Sequence, residues 1–147
     1  MAEMRFEREL VFVKTDIISK EDVVEFLGRR LVEAGAVEPG YVEAMHVRER
    51  EFGTYITDGI AIPHGTEKSR DMVKKAAVAA VKLPQGIEWL PGKTVYLAFG
   101  IAGNNDDHVA LLGWLATFLM DPAQKEKLLA ADTADALFSH LDAANDA

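Results

Sequence analysis

AAVAAVKL at residues 76–83 and VYLAFGI at residues 95–101 set the architecture. Each is a short, nearly continuous apolar run, which suits a strand covered by helices on both faces. A third stretch, Gly59-Ile60-Ala61-Ile62-Pro63, reads as a shorter strand, and Pro84-Gln85-Gly86 and Pro91-Gly92 read as turns between strands. Nearer the N-terminus, Ser19-Lys20-Glu21-Asp22 reads as a helix start with Ser19 as N-cap, followed by Val23, Phe26, Leu27 and Leu31 at helical spacing up to Gly35. Pro39-Gly40 opens a second helix that carries Tyr41, Ala44 and Met45 on one face and Arg48 near its end, with Gly53 as the break. Residues 107–120 read as an apolar helix stopped at Asp121-Pro122, and two short helices over 122–131 and 133–141 follow. Helices before, between and after a few strands make an α/β layer structure the simplest solution. With no repeat, linker or low-complexity tract, residues 1–147 read as a single domain.

Composition narrows the chemistry. Hydrophobic residues make up 49% and charged residues 27%, near the average for globular domains, so a packed core is expected. The absence of cysteine excludes disulfides, thiolate nucleophiles and Cys-ligated zinc. The N-terminus lacks the basic start and apolar run of a signal peptide, and no stretch of about 18 apolar residues exists, so a cytoplasmic location is expected. The formal net charge is −8, and residues 101–147 carry eight acids against only Lys125 and Lys127. Such a surface repels nucleic acid and anionic lipid and steers a partner with a basic face; an ordinary solvated acidic surface is the competing reading.

The four histidines are not equivalent. His46 and His140 lie in helices and read as surface residues. His64 follows a strand and Pro63 and precedes Gly65 and Thr66, so the ring is delivered to a sheet edge with little bulk beside it. Thr66 reads as the cap of a following helix, whose backbone N–H groups would favour an anion. His108, in Asn104-Asn105-Asp106-Asp107-His108, sits where an apolar strand feeds a helix, the edge at which α/β sheets place ligands. Two readings stand for the pair: one site built from both histidines, or two unrelated surface residues. A metal site would need further ligands such as Asp58, Asp106 or Asp107, and no HExxH spacing is present. No G-x-S-x-G and no glycine-rich phosphate loop occurs either. Neither metal nor cofactor is expected. Imidazole remains the natural nucleophile, since its unperturbed pKa near 6.5 leaves much of it uncharged at neutral pH. Apolar Ile60, Ile62 and Val109 read as a rim around it, Trp114 as core, and Trp89 as a turn residue with partial exposure.

Gly59-Ile60-Ala61-Ile62-Pro63-His64-Gly65 resembles the active-site signature of Enzyme IIA components of the bacterial phosphoenolpyruvate-dependent sugar phosphotransferase system, in the mannitol/fructose superfamily. Two more blocks are similar to the mannitol-type members in order and spacing: residues 38–45 with Arg48-Glu49, and Phe99-Gly100-Ile101-Ala102 leading to Asp107-His108. The likeness covers residues 15–141. It implies a mixed, mostly parallel sheet with helices on both faces. It also implies that His64 is phosphorylated through Nε2 by the carrier HPr and passes the group to a cysteine of the IIB component. By the same likeness His108 matches a second active-site histidine, Arg48 an arginine that neutralises phosphate charge, and Asp58 an acidic position. Mannitol or a related sugar would be the transported solute, and the chain would be a free-standing IIA. Nitrogen-type regulatory relatives share the PHG signature and form the alternative.

Overall fold

The computed structural model describes residues 6–57, 59–103, 113 and 120–145. Its centre is a five-stranded mixed sheet in the order β1-β4-β5-β3-β2. The strands are β1 (Val11–Val13), β2 (Tyr55–Thr57), β3 (Ile60–Ala61), β4 (Ala77–Leu90) and β5 (Lys93–Ala102). β1 runs parallel to β4 and β3 parallel to β5, while the β4–β5 and β2–β3 pairs are antiparallel. Four α-helices with described bounds accompany it, α1 (Lys20–Glu33), α2 (Tyr41–Glu51), α3 (Pro122–Ala130) and α4 (Ala134–Asn145), with short 3-10 helices at Arg8–Leu10 and Glu67–Met72.

The two apolar runs are the central pair, and their alternation divides the core into two layers. Ala79, Val81 and Ala98 face one way and pack with Val23, Val24, Leu27, Leu31, Tyr41 and Met45 of α1 and α2. Val78, Ala80, Leu97, Phe99 and Ile101 face the other way and meet Leu128, Leu137 and Leu141 of α3 and α4. Residue size differs between the faces for a reason. A Cβ at Gly100 would lie 2.8 Å from the Cβ of Leu27, so α1 approaches β5 only because no side chain stands there. Gly28 on α1 admits Val42 and Met45 of α2 in the same way, at 3.1 and 3.2 Å from where its Cβ would be.

Local signals form the expected ends. Ser19 accepts the N–H of Asp22 at 3.1 Å, and Gly35 turns the chain after α1 with φ +75°. Asp121 accepts the N–H groups of Ala123 and Gln124, with Pro122 in the first turn of α3.

Several expectations need correction. Pro84-Gln85-Gly86 is not a turn between strands. It lies inside β4 as an irregularity, where β4 advances from Lys82 to Ile87 while β5 moves only from Leu97 to Val95. The reversal occurs at Pro91-Gly92, so Trp89 sits within β4 at 2% exposure instead of in a half-open turn. The short outer strands β1 and β2 have no counterpart among the strands expected from sequence, because three residues carry too little periodicity. His46 is half-buried against Glu25, their side chains 2.9 Å apart, and His140 is also half-buried. The expected helix over 107–120, with Trp114, falls almost wholly outside the described residues.

One polar residue is woven into the apolar layer. Lys82, 4% exposed, donates through Nζ to the carbonyls of Leu128, Leu129 and Ala131 at the end of α3. An ammonium at a helix C-terminus satisfies carbonyls that have no partner within the helix. Lys82→Met keeps the apolar stem but strands those acceptors, and we expect it to lower the unfolding free energy by about 2 kcal/mol in urea denaturation.

Candidate functional site

The path from β3 to His64 is held by backbone at every step. Ile62 donates its N–H to the Thr54 carbonyl at 2.9 Å, Ile101 donates to the Pro63 carbonyl at 2.9 Å, and His64 itself makes a parallel bridge with Ile101. His64 thus stands at the carboxyl ends of the parallel strands β3 and β5, the edge of an α/β sheet that usually receives ligands.

Tyr41 clamps this segment from the first turn of α2. Its hydroxyl donates to the Ile101 carbonyl at 2.8 Å and accepts the Gly65 N–H at 3.0 Å. The ring lies so close that a Cβ at position 65 would come within 2.6 and 2.8 Å of it. Gly65 is therefore required by the approach of Tyr41, as well as leaving room beside His64. Burial pushes the Tyr41 phenol up, partly offset by the Gly65 hydrogen bond, so it stays protonated and can donate.

His64 is 6% exposed, and its Nδ1 lies 2.7 Å from the Ile62 carbonyl. A carbonyl only accepts, so Nδ1 carries the hydrogen, and in the neutral ring Nε2 carries the lone pair. Burial pulls the His64 pKa below 6.5. The Ile62 hydrogen bond works against that shift, the cations Arg48 and Arg70 add to it, and the Glu49 carboxylate opposes it. The ring is consequently neutral at pH 7.

Arg48 lies in the last turn of α2, its guanidinium 4.8 Å from the centroid of the Phe52 ring. Among the described residues its buried Nε–H has no hydrogen-bond partner, a costly arrangement that an arriving anion would relieve. Two expected neighbours, Asp58 and His108, lie outside the described residues. The rim differs from expectation. Ile60 is fully buried in the core and Ile62 half-buried, so the exposed apolar group beside Arg48 is Phe52, at 72% exposure; Val109 is not among the described residues. After Thr66 the chain forms only a short 3-10 helix (Glu67–Met72), and the Thr66 side chain does not cap it; Ser69 Oγ donates instead to the Thr66 carbonyl.

Three roles are not read from the sequence, although Tyr41 and Glu49 lie in the family-similar blocks: Tyr41 as a clamp, Glu49 as a buried carboxylate, and Arg70 as a second cation acting on His64. A charged residue in a polar segment gives no local sign that its charge will reach a ring elsewhere.

Residues 4–144 match the family model described as "Phosphoenolpyruvate-dependent sugar phosphotransferase system, EIIA 2". The chain belongs to this EIIA family. It is 41% identical over 119 residues to a "Multiphosphoryl transfer protein" of Salmonella typhimurium, covering 81% of this chain and 32% of that one. It is 40% identical over 106 residues to the mannitol-specific phosphotransferase enzyme IIA component of Enterococcus faecalis, covering 70% of this chain and 73% of that one. The EIIA fold also matches, at TM-score 0.86 and 31% identity over 94% of this chain and 97% of the other, a chain from the Escherichia coli complex of enzyme IIA and phosphorylated enzyme IIB for mannitol. The chain spans between 15% and 32% of the length of the multiphosphoryl transfer proteins it matches. The expected mixed α/β sheet is thus that of the mannitol IIA structures, and no described helix is long and apolar enough to cross a membrane.

Two outcomes test the geometry. Tyr41→Phe leaves the buried Gly65 N–H without its acceptor and the Ile101 carbonyl without its donor, and should cost about 1–3 kcal/mol in chemical denaturation. The His64 ring, followed by NMR through its Cε1 proton, should titrate below 6.5. Its folded pKa lies below the unfolded one, so the stability it contributes is present above about pH 6.5 and is lost as pH falls through the folded value.

Proposed function

We propose that this EIIA protein is a phosphoryl carrier in which His64 Nε2 accepts the group from phospho-HPr and yields it to a cysteine of a IIB component, for uptake of mannitol or a related sugar. The observation that carries the reading is the Nδ1–H to Ile62 carbonyl hydrogen bond, which leaves the lone pair of a buried, neutral imidazole on Nε2. In the first step the N–P bond of the donor histidine breaks as the Nε2–P bond forms. In the second, a thiolate sulfur takes the phosphorus and Nε2 regains its lone pair. Throughout, the Ile62 carbonyl holds the Nδ1 proton and so steadies the ring in its phosphorylated form.

Phosphoryl transfer asks for in-line placement and charge neutralisation more than for covalent chemistry by the protein. Arg48 is suited to the equatorial oxygens, since its buried Nε–H has no acceptor among the described residues and its charge acts on His64. Arg70 adds a second positive charge. His108 is assigned to hold a phosphoryl oxygen or position the His64 ring, and Asp58 to the acidic position beside the site. Exposed Phe52 next to Arg48 offers partners an apolar contact, while the acidic C-terminal part steers a basic partner face. The IIB component is the acceptor by likeness to the Escherichia coli IIA protein, whose structure was determined with phosphorylated IIB.

The test is intact-mass analysis after incubation with phosphoenolpyruvate, Enzyme I and HPr. One acid-labile phosphoryl group should appear on the wild-type chain and none on His64→Ala. His108→Ala should accept the group but pass it on poorly; equal loss of acceptance in both variants sinks that division of labour. Phosphorylation with no delivery to a IIB cysteine would favour the nitrogen-type regulatory role.

A further inference from the structure

Glu49 is the buried carboxylate for which the transfer chemistry has no direct use. It is 6% exposed and lies beside Arg48 in the last turn of α2. Its Oε2 accepts the Thr54 N–H and the Trp89 Nε1–H, both at 3.1 Å, and its Oε1 accepts the Thr54 hydroxyl. The chain makes this possible by reversing at Gly53, φ +75°, whose N–H returns to the Arg48 and Glu49 carbonyls. Three donors from a loop and from strand β4 therefore converge on one side chain, a satisfied arrangement for a buried charge.

The network leads toward His64. The carbonyl of Thr54 accepts the Ile62 N–H at 2.9 Å, and the carbonyl of Ile62 accepts the His64 Nδ1–H at 2.7 Å. The route is thus Glu49, Thr54, Ile62, His64, with each link a hydrogen bond. On its other side Glu49 fixes the helical turn that carries Arg48 and, one residue beyond α2, Phe52, on whose ring the Arg48 guanidinium rests.

We propose that Glu49 is a positioning residue for phosphoryl transfer, which through Thr54 and Trp89 locks together the carbonyl that orients His64 and the turn that holds Arg48. The inference rests on the carrier reading above, but its first test does not. Nδ1 keeps its proton only while the Ile62 carbonyl stays in place, and that carbonyl is tied to Glu49 through Thr54. Gln in place of Glu49 keeps both N–H groups on its carbonyl and holds the Thr54 hydroxyl with the third hydrogen bond reversed, its amide donating to the hydroxyl oxygen. Ala reproduces none.

The 15N shifts of the neutral His64 ring should report one tautomer, with the proton on Nδ1, in wild type and Glu49→Gln, and a mixture in Glu49→Ala. This readout needs no donor protein. Rates of phosphoryl acceptance from phospho-HPr should fall on the order of 100-fold in Glu49→Ala, the scale of a misplaced reacting group, and less than about tenfold in Glu49→Gln. In an Arg48→Ala background, Glu49→Ala should cost clearly less than it does alone, because part of its effect runs through Arg48. Thr54→Val keeps shape and removes the hydroxyl arm while the Thr54 N–H stays on Glu49. It should therefore move the tautomer and the rate in the same direction as Glu49→Ala by a smaller amount, a readout that stands even if Glu49→Ala does not fold. A shift in the ring tautomer together with a fall in rate supports the proposal, and a wild-type tautomer with a wild-type rate overturns it. Full additivity of Glu49→Ala with Arg48→Ala, with one tautomer retained, also overturns it. A wild-type chain that takes no phosphoryl group at all would instead remove the carrier reading and leave the tautomer result standing.

Discussion

The hydroxyl of Tyr41 ties three separate parts of the chain together. It belongs to α2, donates to the carbonyl of Ile101 near the end of the central strand β5, and accepts from Gly65, the residue after His64. Tyr41 is 1% exposed, so neither partner can turn to water instead, and each hydrogen bond is enforced by the cost of leaving a buried polar group unpaired. Because α2 also carries Arg48 and Glu49, the same contact registers the cationic end of the helix against the imidazole. Glycine at 65 follows from it, since the phenol ring occupies the space a Cβ would take.

Around that clamp the electrostatics are arranged in opposition. Burial and two arginines favour the neutral ring, while the Ile62 carbonyl and the Glu49 carboxylate favour protonation. The net direction leaves a neutral ring at neutral pH, and in the proposed phosphoryl transfer the cations that lower the pKa also suit an incoming phosphoryl dianion. In the carrier reading, one set of charges therefore serves both states of the ring.

The sheet supplies the rigidity this arrangement needs. Small residues on one face let α1 pack against β5 through Gly100, and larger ones on the other face meet α3 and α4. Lys82 shows how far packing overrides pattern. Within an apolar run it reads as a blemish, yet in the fold it completes the carbonyl end of α3. Trp89 departs from its expected turn for a related reason: Pro84 and Gly86 are turn residues by composition, but β4 pairs with its antiparallel neighbour β5 on both sides of them, so they form an irregularity within the strand and not a reversal.

Features that depend only on neighbours in the chain are legible in the sequence. The Ser19 cap, the apolar runs of β4 and β5, the Pro91-Gly92 reversal and the PHG segment at a strand end are all of this kind. Within the site, Arg48 and His64 stand out through their motifs, and the return of the chain through Gly53 and β2 brings the charge of one to bear on the ring of the other. That Tyr41 clamps Gly65, that Glu49 receives Thr54 and Trp89, and that Arg70 acts on His64 follow from tertiary packing alone. Those contacts join residues on different elements, and their strength comes from exclusion of water, which no single segment can provide for itself.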